Sequence, residues 1–244
     1  MKAIILAGEG NQDIEYFGQG KALVNFREEP LIEYTINALA DSEMIDYILV
    51  VGNKDVLTPI IGDSVDKIIG QENDILDNLI KSISYFNGEE NVVVVTCDIP
   101  LITSDAIRYF INNALDLKVD LCYPIIEKSV YMAKYPDARR TYVILKEGEF
   151  TGGNLIMINP CKIRAIENQI RSLVNNRKNP LRMTRTLGMF ITIQFLLRQL
   201  TIEKIETYVQ KKFSITGKAL VVPYPEVGSD IDNVEDIKVL EKYI

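Results

Sequence analysis

Short β-rich apolar blocks alternate along this chain with longer segments whose apolar residues return every three or four positions. Lys2 to Leu6, Tyr47 to Val51, Asn91 to Thr96, Asp120 to Ile125, Thr141 to Leu145, Leu155 to Ile158 and Ala219 to Pro223 are the short blocks, and their composition predicts strands. Their near-continuous hydrophobicity predicts a sheet covered on both faces and therefore mostly parallel. In the first helical segment Pro30 stands at a plausible first position, followed on one face by Leu31, Tyr34, Thr35, Ala38 and Leu39. Ile75, Leu76, Leu79, Ile80, Ile83 and Phe86 repeat at the same period. Thr103 or Ser104 is suited to cap a helix running through Leu115. Asn233 is suited to cap the last one, with Asp236 near its positive end. Strand and helix in alternation predict an α/β fold, a doubly wound, mostly parallel, Rossmann-like sheet. No internal repeat or linker divides residues 1–244, so they are read as one domain.

The chain has 244 residues, 47% of them hydrophobic, enough to fill a sizeable core and to exclude a disordered protein. A net charge of -7 argues against a nucleic-acid partner, whose phosphates need a basic face. One stretch reverses that balance: residues 161–215 carry eleven Lys and Arg against three Asp and Glu. This segment reads as helices near 160–174, 184–199 and 201–213, with Arg177, Lys178, Arg182 and Arg185 crowded around Pro180. It is expected to be an inserted helical arm or lid over residues 160–215, and a possible homodimer contact. Its most apolar run, Gly188 to Leu197, has ten residues, half the ~20 needed to span a bilayer. Met1 to Ala7 lacks the plan of a secretory signal, so a cytoplasmic location and no membrane span are expected. Cys97, Cys122 and Cys161 show no metal or disulfide spacing and read as free thiols.

Candidate chemistry is narrowed sharply by the absence of histidine. Imidazole bases, Ser-His-Asp and Cys-His nucleophiles and His-ligated metals all drop out, leaving carboxylates, Lys, Arg, hydroxyls and oxygen-bound metal. The first strand runs into Leu6-Ala7-Gly8-Glu9-Gly10, a glycine-containing loop at the carboxyl end of a buried strand, where α/β sheets bind ligands. Neither the Walker A spacing nor the dinucleotide fingerprint is met, because Ala22 follows Gly20-Lys21 and Asp13 holds the third glycine position. Val92 to Thr96 leads into Cys97-Asp98-Ile99-Pro100-Leu101, putting a carboxylate just past an apolar strand. Near the C-terminus, Asp230-Ile231-Asp232 would turn both carboxylates to one side if extended.

Glycine loop, Lys21 and the Pro30-Leu31-Ile32 helix start, in that order, resemble the LAGGxGxR…K and KPLI signature of the sugar-phosphate and molybdenum-cofactor nucleotidyltransferases. The order continues with Asp98 in a CD-x-P-L motif and with Asp230 to Asp236, similar to the family's DxDTPEDL ending. The resemblance implies that Leu6, Ala7, Gly8, Glu9 and Gly10 cradle a triphosphate and that Lys21 stabilises charge on it. It implies Asp98 as a magnesium ligand, with Asp232 as the second ligand, as in the 3-deoxy-octulosonate cytidylyltransferase branch, and Asp230 as its outer partner. Gly70 to Leu79 resembles the segment reading base and ribose, which brings Asn78 to the nucleotide. Arg139 to Tyr142 and Thr151 to Asn154 resemble the acceptor-facing region, with Arg140 holding a phosphate and Gly153 and Asn154 beside it. A hairpin turn explains Gly152-Gly153 almost as well. The pattern departs at the loop, where Glu9 replaces a glycine and the following arginine is missing.

The implied reaction is transfer of a nucleotidyl group from a nucleoside triphosphate to a phosphorylated acceptor with Mg²⁺, releasing pyrophosphate. A sugar, alditol, cofactor or lipid phosphate would serve as acceptor; such a monoester is already largely ionised near neutrality, so no protein base is required. The alternatives are a nucleotide-sugar-dependent glycosyltransferase and a non-catalytic nucleotide sensor of the same fold.

Overall fold

The structure, a computed structural model, describes residues 1–10, 15–88, 91–176 and 189–244. Its first half runs β1 (Lys2–Ala7), the two-residue strands β2 (Asn25–Phe26) and β3 (Glu29–Pro30), α1 (Leu31–Asp41), β4 (Tyr47–Gly52), α2 (Lys54–Ile61), β5 (Lys67–Gly70), α3 (Ile75–Ile83), β6 (Val92–Thr96) and α4 (Ser104–Leu117). The second half continues with β7 (Leu121–Glu127), α5 (Lys128–Lys134), β8 (Val143–Leu145), β9 (Gly148–Gly152), β10 (Leu155–Ile158), α6 (Pro160–Ala165), α7 (Glu167–Asn176), α8 (Met189–Leu196), α9 (Ile202–Phe213), β11 (Gly217–Val221) and α10 (Val234–Leu240).

Nine strands form one sheet in the order β5-β4-β1-β6-β10-β7-β9-β8, with β11 on the other side of β7. β1 lies between β4 and β6 and is parallel to both, so its carboxyl end opens in the middle of the sheet. β9 and β10 run against the others, both antiparallel to β7 at its two ends, which makes the sheet mixed but mostly parallel. Residues of one strand alternate between two cores, as the two-residue period requires. Ala3, Ile5, Val93 and Val95 face α1 and α4, whereas Ile4, Val92 and Val94 pack on the opposite face beside Ile83 of α3.

The seven expected strands all form, with shifted ends, and two further strands, β5 and β9, join them. Lys67–Gly70 is short and starts on a lysine, and Gly148–Gly152 holds two glycines and a charge, so neither shows an apolar block. Pro30 sits one position earlier than expected: it pairs with Asn25 and is the N-cap residue of α1. Thr103 and Asn233 cap as expected, accepting bonds from Ala106 N–H and from Glu235 and Asp236 N–H. Residues 160–215 are not peripheral throughout. Ile163, Ile166, Phe213 and Ile215 are buried in the core of one sheet face, so the ends of the segment belong to the helical layer. The first expected helix is broken at Ile166 into α6 and α7. Arg177, Lys178, Arg182 and Arg185 lie outside the described residues, as does the start of the second expected helix. Among the described residues no helix is long and apolar enough to cross a membrane.

The three thiols are unequal. Cys97 and Cys122 are buried and Cys161 is exposed, and burial pushes the Cys122 thiol up to about 12. A thiol reagent at neutral pH is therefore expected to modify one cysteine quickly in the native protein and three in denaturant, read by absorbance and peptide mapping.

Candidate active site

The loop after β1 is shaped by its neighbours. Gly8 lies against Asn78, and a Cβ there would come within 2.5 Å of the Asn78 amide nitrogen. Glu9 N–H donates to Gln71 Oε1 at 2.7 Å, and Gln71 N–H donates in turn to Gly52 O at 2.9 Å, tying the loop to the ends of β4 and β5. The Glu9 carboxylate accepts from Asn53 Nδ2 at 3.4 Å and lies over Gly20. Asn78 Oδ1 accepts from Glu72 N–H at 2.6 Å, and Lys81 Nζ donates to Gly70 O and Glu72 Oε1, both at 2.6 Å. These bonds hold open a cavity of about 260 Å³ lined by Leu6, Gly8, Glu9, Gly10, Lys21, Asn78 and Asp98, together with Glu72 to Ile75, Thr96 and Cys97. Of the residues expected around a nucleotide, only Ala7 does not line it; its side chain is in the core. Ile75, expected on the buried face of its helix, instead stands exposed at the cavity.

At the edge of this cavity Lys21 opens a short 3-10 turn, Lys21–Leu23, anchored by the buried Ala22. Its ammonium bridges two carboxylates, donating to Asp98 Oδ2 at 3.0 Å and Asp232 Oδ1 at 3.1 Å. Burial by itself would lower the Lys21 pKa, but the charges and hydrogen bonds of Asp98 and Asp232 outweigh it and hold the ammonium well above its ordinary value. The partners are joined through the backbone too. Ile231 N–H donates to Asp98 O at 3.0 Å, and Asp236 Oδ2 accepts from Asp232 and Asn233 N–H at 2.9 and 3.0 Å. Asn233 and Asp236 thus form the capping box of α10, leaving the Asp230 and Asp232 side chains to the site. Carboxylate oxygens of Asp98, Asp230 and Asp232 all lie within 4.8 Å of one another.

Beyond the carboxylates a second, polar cleft of about 500 Å³ is lined by Tyr123, Arg139, Arg140, Thr141, Thr151, Gly152, Asn154, Asp230 and Asp232. The Arg140 guanidinium is ion-paired with Asp230 and also donates to Gly152 O at 3.2 Å and Thr151 Oγ1 at 3.4 Å. Arg139 is the exposed guanidinium of the pair. The backbone of Asn154 crosses between the cleft and the strand ends: Asn154 N–H donates to Val227 O at 2.8 Å, and its carbonyl accepts from Thr96 N–H at 3.0 Å. Gly153 is required here by packing. A Cβ would lie 2.6 Å from Val227 Cγ1 and 2.9 Å from Pro124 Cγ. Gly153→Ala is expected to cost about 1–3 kcal/mol in a denaturation experiment and to loosen the Pro225–Gly228 turn that precedes Asp230.

The donor set fits a hard divalent cation, since it is all carboxylate oxygen and the Asp98 Oδ1 atom is buried with no hydrogen-bond partner among the described residues. Asp98 and Asp232 would be the ligands, with Asp230 held beside them by Arg140. Thr96 and Tyr123 line the cavities without a motif of their own, whereas Glu72 to Ile75 and Thr151 lie in segments the resemblance points to. Gln71 has only its place in the Gly70-Gln71-Glu72 turn as a signal.

A glycine loop, lysine and strand-end aspartate gathered at the carboxyl ends of a doubly wound sheet define the nucleotide-diphospho-sugar transferase class of fold. The model of the MobA-like NTP transferase domain matches residues 3–176, and the chain belongs to that family, and with it to the nucleotidyltransferases. It is similar to a hypothetical transferase from Thermus thermophilus, 34% identical over 97% of this chain and 100% of the other, with a TM-score of 0.85. Two more distant structures share the fold. One is a CMP:2-keto-3-deoxy-manno-octonic acid synthetase complexed with CTP: 11% identity, 99% and 98% covered, TM-score 0.65. The other is a putative glucose-1-phosphate thymidylyltransferase from Bacillus anthracis: 16% identity, 99% and 94% covered, TM-score 0.62. No curated protein sequence matches the chain.

Proposed function

We propose that the protein transfers a nucleoside monophosphate from a nucleoside triphosphate to the phosphate of a small acceptor, with Mg²⁺, releasing pyrophosphate. The observation that carries this reading is a lysine–carboxylate cluster with a cavity on each side, one lined by the glycine loop and the other by two arginines. The triphosphate would occupy the first cavity, with Asn78 and the exposed Ile75 near base and ribose. The acceptor would occupy the second, its phosphate met by Arg139 while Arg140 keeps Asp230 in place. An acceptor oxygen attacks the α-phosphorus in line and the bond to the β-phosphate oxygen breaks.

Lys21 opposes the charge that builds on the leaving oxygens, and its raised pKa keeps it an ammonium throughout. Mg²⁺ on Asp98 and Asp232 would supply Lewis-acid stabilisation and a template for the phosphates. A monoester dianion is its own nucleophile, which fits a site without histidine. The reading is supported by two structural neighbours, the CMP:2-keto-3-deoxy-manno-octonic acid synthetase complexed with CTP and the putative glucose-1-phosphate thymidylyltransferase. Its test is a thermal-shift screen of four nucleoside triphosphates with Mg²⁺, then pyrophosphate release with a panel of phosphate monoesters. A triphosphate that raises the melting temperature and yields pyrophosphate only with an acceptor is expected; binding without release across the panel would point to a sensor.

A further inference from the structure

A third cavity lies outside the polar site. Of about 530 Å³, within the range of small-molecule pockets, it runs between the far strands of the sheet and α9. Ile125, Leu145 and Phe150 form its floor, and Ile202, Ile205 and Val209 of α9 its roof, so its walls are almost wholly apolar. Tyr123, Thr151 and Gly152 line both this cavity and the polar cleft, which makes the two adjoin at the strands holding Arg140. Ile191 of α8 packs on the same apolar cluster, and beyond it Ile193, Phe195, Leu196 and Leu197 are exposed, Leu196 to 72%. The polar cleft therefore shares a wall with an apolar chamber that lies beside exposed apolar side chains.

We propose that the acceptor is a lipid monophosphate whose phosphate lies in the polar cleft and whose hydrocarbon tail runs beneath α9. The proposal rests on reading the polar cleft as the acceptor site, and it narrows the acceptor from any monoester to an amphiphilic one. A sugar phosphate would leave the apolar walls in contact with water; a hydrocarbon chain removes that contact. The exposed side chains of α8 offer the tail an apolar surface at the same cluster. Because the tail lies away from the reacting atoms, it adds equally to ground and transition states, so chain length would lower KM and leave kcat alone.

The test uses the full chain without nucleotide or Mg²⁺. Binding is read by isothermal titration calorimetry, which needs no reporter in the chamber. The affinity for ethyl, hexyl and dodecyl phosphate, each titrated below its micelle concentration, is expected to tighten by about 100-fold or more from ethyl to dodecyl. Ala219→Trp, which fills the chamber from β11, is expected to erase most of that gain. Val209→Trp does the same from α9 should the first variant not fold. Equal affinity along the series would overturn the proposal. So would a chain-length effect that neither tryptophan changes, which would put the tail on α8 instead. Because binding is read without nucleotide, either failure leaves nucleotidyl transfer standing, and tail binding without pyrophosphate release would sink that reading alone.

Discussion

Lys21→Ala is expected to lower pyrophosphate release by ~100–1,000-fold, the range seen when one preorganised group facing developing charge is removed. The loss is expected in kcat as well as kcat/KM, because the ammonium matters most when the leaving oxygens gain charge. A second effect follows from the geometry of the metal-free protein. Lys21 is the cation between Asp98 and Asp232, and without it a carboxylate only 12% exposed keeps its charge with less to balance it. The melting temperature of the metal-free variant should fall, and Mg²⁺ should restore more of it than in wild type, since a cation on the carboxylates then replaces the ammonium. The sign of the pH dependence is fixed by the raised pKa. Stability contributed by Lys21 is fully present below the unfolded value of about 10.5 and is lost only as pH rises through the higher folded value. Wild type and variant should therefore differ by a constant amount across neutral pH. Unchanged turnover, or a defect confined to KM, would remove Lys21 from the chemistry.

The parts of the site legible in the sequence are those in which one short segment holds both the backbone geometry and the functional side chain. Leu6 to Gly10 and Asp98 sit at strand ends, where apolar blocks stop, Lys21 opens the short 3-10 turn after the first loop, and the structure brings all but Ala7 into one cavity. Asp230 and Asp232 are less legible, because aspartates just before a helix can also cap it. Asn233 and Asp236 do the capping, which frees the other two. Partners far apart in sequence carry no local signal. The resemblance puts Arg140 on an acceptor phosphate, and the structure adds an ion pair with Asp230, 90 residues away, beside its bonds to Thr151 and Gly152 of β9. β9 shows no apolar block of its own, because its two glycines interrupt the pattern. The apolar chamber was equally invisible: Ile202, Ile205 and Val209 show the period of a core helix, and only tertiary placement leaves space beneath them.

Asp98→Asn is expected to be the most damaging single change to metal use. The amide has nearly the shape of the carboxylate but no charge. The buried Oδ1 atom, which has no hydrogen-bond partner among the described residues, is the oxygen best placed to meet a cation. Asp232 is 71% exposed on its side chain and already hydrated, so Asp232→Asn should weaken Mg²⁺ less. Turnover in Asp98→Asn should fall by ~1,000-fold, since metal stabilisation of phosphoryl charge amounts to several kcal/mol and each ~1.4 kcal/mol is tenfold in rate. The Mg²⁺-induced rise in melting temperature should largely disappear. The metal-free protein should be little changed: Lys21 keeps Asp232 as a partner, and replacing a buried charge by an amide offsets the lost ion pair. The two substitutions thus separate on one instrument, with Lys21→Ala lowering the metal-free melting temperature and keeping the Mg²⁺ shift, and Asp98→Asn doing the reverse. An Mg²⁺ shift of wild-type size in Asp98→Asn would move the metal away from this carboxylate and leave Lys21 as the sole support of charge at the α-phosphorus.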